Sequence, residues 1–233
     1  MTTEKGSPHK KSGADAGQGL FVPDHYAFTE DAQLQRFIAE RPLAQISSAG
    51  KAGLRSSATP LIHVGSEPGD LEFVGHIARR NPQSEAVLNG ESALAVFMGP
   101  DAYVSPRWFK VSPVQIPTWS YVSVQLHGHF EPITDLQESY DVLRKTIAHM
   151  ERPERIGTAI KPWVMEDANP ELVERLGKMI VAFRFKGIRI EGVRRLCQDK
   201  DLVDIQNVCE SLQVDNQPNA AAVASMMAPL YQE

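Results

Sequence analysis

Cysteine is scarce in this chain: Cys197 and Cys209 are the only two. They make no disulfide framework, and a reducing cytoplasm is the simplest home. Positive charge is not in excess either, since 24 Lys and Arg stand against 29 Asp and Glu for a formal net charge of −5. No global field therefore draws the chain onto DNA or an anionic membrane. No apolar run approaches the roughly 18 residues that a membrane-spanning helix needs. The N-terminal stretch sets Lys5, Lys10 and Lys11 among Gly, Ser and Asp and lacks the apolar centre of a secretory signal. A nucleophile elbow, a Walker loop, a Rossmann glycine fingerprint and a paired His/Cys triad are also missing, so hydrolase and nucleoside-triphosphate readings fall away.

What is present is ordinary globular material, 42% apolar and 23% charged over 233 residues, enough for one large domain. Residues 1–19 read as a mobile polar tail, 20–212 as the domain, and 213–233 as a flexible C-terminal tail whose Ala/Met run either frays or docks. Thr29 caps a helix with Leu34, Phe37 and Ile38 on one face, stopped at Arg41-Pro42. Asn81-Pro82 opens a second helix that ends at Asn89-Gly90. Further helices are predicted at 136–150, 170–177 and 202–212. Strand signals cover 43–48, 54–64, 71–76, 94–98, 121–130 and 179–190, with turns at Ala49-Gly50-Lys51 and Pro68-Gly69-Asp70. The uniformly apolar 94–98 reads as a strand buried on both faces. Val181, Phe183 and Phe185 are odd-numbered but Ile188 and Ile190 even, so an extra residue near Gly187 predicts a β-bulge. Hairpin-like spacing with helices laid around it predicts an α+β fold, an antiparallel barrel with flanking helices.

Chemistry concentrates in Gly75-His76-Ile77-Ala78-Arg79-Arg80-Asn81-Pro82, where a strand ends, two arginines follow and a helix begins. Guanidinium forks beside free N–H groups form an anion site suited to a phosphomonoester. Solvated arginines would look the same. Arg55, Ser57 and Thr59 share one face of the neighbouring strand, which suits a phosphate or ribityl chain, or equally an exposed edge strand before Pro60. Aromatics are only 7% of the chain, yet Tyr103, Trp108, Phe109, Trp119 and Tyr121 cluster. Such rings serve a fused-ring cofactor or a plain core. His127-x-His129 puts two imidazoles on one strand face, but no third ligand has compatible spacing, so no metal is expected.

These blocks come in a telling order. Val22-Pro23-x-His25 leads, followed by Arg41-Pro42-Leu43-Ala44 and Gly75-His76-x-Ala78-Arg79-x-Asn81-Pro82. Then come Gly99-Pro100-x-Ala102-Tyr103-Val104-Ser105-Pro106-x-Trp108, Pro117-Thr118-Trp119-x-Tyr121 and Ile190-Glu191-Gly192. Together they resemble the PaiB-type FMN-binding negative transcriptional regulators. The resemblance implies a split β-barrel related to pyridoxamine-phosphate oxidases and flavin reductases, with FMN at the interface of a homodimer. It implies phosphate contacts from Arg55, Ser57, His76, Arg79 and Asn81. Tyr103, Ser105, Thr118 and Trp119 would lie near the ring or across the dimer seam. The family's Trp-Asn-Tyr is Trp119-Ser120-Tyr121 here. Two other readings stand beside the regulator: an FMN-dependent oxidoreductase acting on a small molecule, and a haem-binding barrel with an axial histidine. No basic recognition helix is visible, so direct DNA contact would need a local patch such as Arg184, Lys186, Arg189, Arg194 and Arg195.

Overall fold

Apolar alternation becomes a sheet of eight antiparallel strands. They are β1 (Ala27–Phe28), β2 (Leu43–Gly50), β3 (Gly53–Pro60), β4 (Ile62–His63), β5 (Glu72–Ala78), β6 (Ser92–Val104), β7 (Thr118–Ile133) and β8 (Ile180–Arg195). This computed structural model describes residues 19–50, 53–66, 69–111 and 116–231. The expected N-terminal tail, apart from Gly19, and the turn residues Lys51 and Pro68 lie outside the described residues. Strand order is β3-β2-β6-β7-β8-β5-β4, with β1 also paired to β8. The sheet curls until Thr59 Oγ1 on β3 donates to the His76 carbonyl on β5 at 2.5 Å. No ladder joins those two strands among the described residues, so the barrel is split rather than closed.

Inward side chains of the curled sheet form one core, with Ile46, Phe73, Phe97, Leu126, Phe183 and Phe185 all buried. Phe130 meets Phe183 and Phe185 edge-to-face at centroid distances of 5.0 and 5.6 Å, a geometry the ring quadrupole favours. The predicted bulge is present: His127 pairs with Arg189 but Gly128 with Gly187, leaving Ile188 as the extra residue. A second irregularity in β6 falls between Met98 and Asp101.

Helices wrap this sheet. They are α1 (Asp31–Glu40), α2 (Ser84–Leu88), α3 (Leu136–Met150), α4 (Pro153–Ile156), α5 (Pro170–Gly177), α6 (Leu202–Val214) and α7 (Ala220–Met227). Asp135 caps α3 by accepting from the Glu138 N–H, and Asn169 caps α5 by accepting from Glu171 and Leu172. Val142 of α3 covers the outer side of β4 and β5 with Ile62, Val74, Ile133 and Ala182.

Four expectations change. The strand around 94–98 is not buried on both faces: Ala93, Ala95 and Phe97 point inward, Leu94 and Val96 are half-buried, and Met98 is exposed on the other side. Helix α2 starts at Ser84 rather than after Asn81, because Asn81 Oδ1 accepts the Gln83 N–H at 2.9 Å and closes a tight turn. Helix α1 follows Glu30, one residue beyond the predicted Thr29 cap. The supposed flexible C-terminal tail is a docked helix, with Ala220, Val223, Ala224 and Met227 of α7 all buried in the main core.

Candidate functional site

The predicted phosphate group splits into residues that converge and residues that do not. Arg55, Ser57 and Thr59 share the inward face of β3, opposite Ser48, Ile46 and Ala44 of β2. Asn81 Nδ2 donates to Ser57 Oγ at 2.8 Å, which brings the turn after β5 onto β3. Buried Gln83 ties the same corner together, its Nε2 donating to the Ile46 carbonyl at 3.1 Å and to Ser48 Oγ at 3.0 Å. Its Oε1 is buried with no donor among the described residues. The guanidiniums of Arg55 and of exposed Arg80 have no hydrogen-bond or ion-pair partner among the described residues.

Arg79 turns away from this corner. Its Nε donates to the Lys178 carbonyl at 3.1 Å and its Nη2 to the Ile180 carbonyl at 2.8 Å. It staples the start of β8 to the end of β5. The His76 ring also leaves the group, because alternation puts it on the side of β5 where Val74 packs beneath α3, opposite Gly75 and Ile77. Its Nδ1 is buried without a partner among the described residues, and burial pushes its pKa below the ordinary histidine value. A neutral imidazole brings no charge to an anion.

The aromatic half lies elsewhere. Tyr103 and Trp119 are register partners on β6 and β7, their rings edge-to-face with centroids 6.5 Å apart. They are 36% and 52% exposed, so they form a platform rather than core. Thr118, half-buried, is paired with buried Val104 and so lies on the opposite face of the sheet from the two rings. Ser105 is buried and caps a 3-10 turn, its Oγ accepting from the Arg107 N–H and Nε. Ser57 faces Ile46, Ile46 faces Ala95, and Tyr103 is 8 residues farther along β6. That is about 25 Å of strand path at roughly 3.3 Å per residue, and alternation turns Tyr103 to the outer face of the sheet while Ser57 faces inward.

Residues 20–189 match the family described as "Putative FMN-binding domain". The chain belongs to this family. FMN is therefore its cofactor, and the fold agrees. Protease synthase and sporulation protein PAI 2 of Bacillus subtilis strain 168 is 26% identical over 208 residues, spanning 89% of this chain and 96% of that one. The flavocytochrome Anf3 of Azotobacter vinelandii has a TM-score of 0.52 at 14% identity, over 75% of this chain and 72% of that one. The FAD and heme binding protein of Mycobacterium smegmatis gives 0.51 at 18% identity, over 73% of each. At these identities the structural likeness is one of fold.

For an FMN-binding family member the chemistry of both halves fits. The β3 corner offers two free guanidiniums and two polar side chains to a phosphate, and the β6–β7 end offers exposed rings to a flat heterocycle. The predicted basic patch is engaged. Arg184 pairs with Glu72 and Glu138, Lys186 with Glu72, and Arg189 with Glu191. Arg194 and Arg195 lie over the rings of Phe28 and Tyr26 at 5.1 and 5.4 Å. His127 is held between Glu191 and Arg189, and no group of three metal-ligating side chains converges among the described residues. No helix among the described residues is long and apolar enough to cross a membrane.

Sequence reasoning placed both arginines in the anion site but named only Arg79 among the phosphate contacts, and it passed over Gln83. Arg80 stood beside the motif arginine as its equal in chemistry. Gln83 follows Asn81-Pro82 directly, and its position in a turn between two strands was the available signal.

Proposed function

We propose that this protein is a cytoplasmic homodimeric flavoprotein of regulatory type in which each FMN spans the dimer seam. Arg55, Arg80, Ser57 and Asn81 of one protomer hold the phosphate, and Tyr103 and Trp119 of the other flank the isoalloxazine. The observation that carries this reading is the separation of the two half-sites along β6. In this reading a flavin that uses both borrows one from a second copy. The outward apolar side chains of the same sheet, Leu43 (62% exposed) near Met98 and Leu54 (85% exposed) at the other end of the β2–β3 hairpin, give that copy a surface to cover. Bound FMN would supply hydride or electron chemistry. The chain's own residues then orient the ring and hold the phosphate, and none of them is poised as a strong acid or base. Signalling in this reading passes through the flavin-bearing dimer and not through the β8 cations, whose charges are already balanced or stacked. Titrating FMN against purified protein, with light scattering to give mass, tests it. Quenching of flavin fluorescence at one FMN per protomer of a dimer is expected, whereas a monomer that binds FMN at full affinity refutes the seam. Bleaching of the bound flavin by NAD(P)H at catalytic rates would favour an oxidoreductase instead.

A further inference from the structure

The aromatic platform has a support that comes from outside the span matched by the family. Strand β6 pairs with β2 only from Ala93 to Val96, so from Phe97 to Val104 its β2-side edge has no strand neighbour among the described residues. At Tyr103 that edge is taken by one side chain. The Tyr103 N–H donates to Gln217 Oε1 at 2.7 Å, and Gln217 Nε2 donates to the Tyr103 carbonyl at 3.1 Å. A single carboxamide thus satisfies both backbone groups, as a neighbouring strand would.

Gln217 is itself held on both sides. Its N–H donates to Asp215 Oδ1 at 2.9 Å, and its carbonyl accepts from the Ala220 N–H at 3.2 Å where α7 begins. Helix α7 is anchored by its four buried side chains and by Cys209 Sγ on α6, which donates to the Ala224 carbonyl at 3.2 Å. In a strand the N–H and C=O lie in the sheet plane while the side chain stands perpendicular to it. Gln217 therefore grips Tyr103 through its backbone, at the strand edge, and not through its ring.

We infer that Gln217 is a positioning residue for the flavin ring: the C-terminal arm clamps the end of β6 and thereby sets the Tyr103–Trp119 ring geometry. This rests on the reading of those two rings as the platform. The test compares Gln217→Ala, Gln217→Glu and Trp119→Ala in the full-length protein, with and without FMN. Without FMN, hydrogen exchange at the Tyr103 amide should quicken by roughly ten- to a hundredfold in Gln217→Ala. Gln217→Glu, which keeps an acceptor for the N–H but loses the donor, should fall between. With FMN, the visible circular dichroism of the flavin should change in Gln217→Ala and be lost in Trp119→Ala, with the melting temperature of the flavin-free protein little altered. Unchanged dichroism in Gln217→Ala, when Trp119→Ala abolishes it, overturns the positioning role. Unchanged dichroism in Trp119→Ala refutes the platform itself and with it the role of Gln217 toward the flavin. Unchanged Tyr103 exchange also overturns the inference.

Discussion

If each flavin is shared across the seam, two differently damaged protomers should repair each other. Arg55→Ala removes a free guanidinium from the phosphate corner, and Trp119→Ala removes the more exposed ring of the platform. A charge-assisted hydrogen bond contributes about 1.5–3 kcal/mol, so Arg55→Ala should weaken FMN binding about 10- to 150-fold. Loss of the indole costs about 0.5–1.5 kcal/mol for ring geometry alone, plus the apolar area it no longer covers. At an FMN concentration between the intact and damaged dissociation constants, each variant alone stays nearly empty. Mixed one to one and allowed to exchange subunits, half of the dimers become heterodimers. Each heterodimer has one seam carrying both lesions and one carrying neither, so a quarter of all sites should regain FMN. Flavin fluorescence quenching reads the occupancy, and native mass spectrometry confirms the exchange. Occupancy that stays at the floor despite confirmed heterodimers would refute the idea that these two half-sites serve one flavin.

The two adjacent arginines should separate cleanly: Arg79→Ala should lower the melting temperature by roughly 2–6 °C by freeing the Lys178 and Ile180 carbonyls. Arg80→Ala should instead leave the melting temperature unchanged and weaken FMN about tenfold or more, which calorimetry would show. Burial holds the His76 pKa below its ordinary value of 6.5, so its contribution to stability is complete above that pH and is lost as the pH falls toward the lowered folded value. His149 is shifted the same way, mainly by burial. Urea midpoints should therefore fall from pH 7 to pH 5, and His76→Gln should flatten that slope. Asp204, fully buried, accepts the Lys110 and Val111 N–H groups at 2.6 and 2.9 Å. Asp204→Ala leaves both donors unpaired and should cost about 2–4 kcal/mol in denaturant unfolding.

Much of the framework was legible because it is written locally. Helices α3 and α5 start and stop at the predicted 136–150 and 170–177, and the parity of Phe185 against Ile190 betrayed the bulge. The misreadings share another cause. Whether Leu94 and Val96 are covered on their outer side depends on what packs there, which no run of apolar letters encodes. Helix α7 is rich in small residues, and its burial comes from a fit against α6 and β6 rather than from a strong apolar stripe. At the site, Arg79 and Arg80 are the same residue type in adjacent positions. Only the approach of residues 178–180 decides which guanidinium is taken and which is left free.

Ile188 is three-quarters exposed and looks dispensable. Replacing it with serine should be nearly neutral, because its side chain holds nothing. Deleting it is another matter. Arg189 would then follow Gly187 directly, opposite His127 next to the Gly128 pair, so the ladder would close without a bulge while Ile190 kept its side and Gly192 its place beside Phe28 and Leu34. What the extra residue supplies is a local bend and a stronger twist of β8, so the curvature of the sheet, not its register, is what this point of the chain sets.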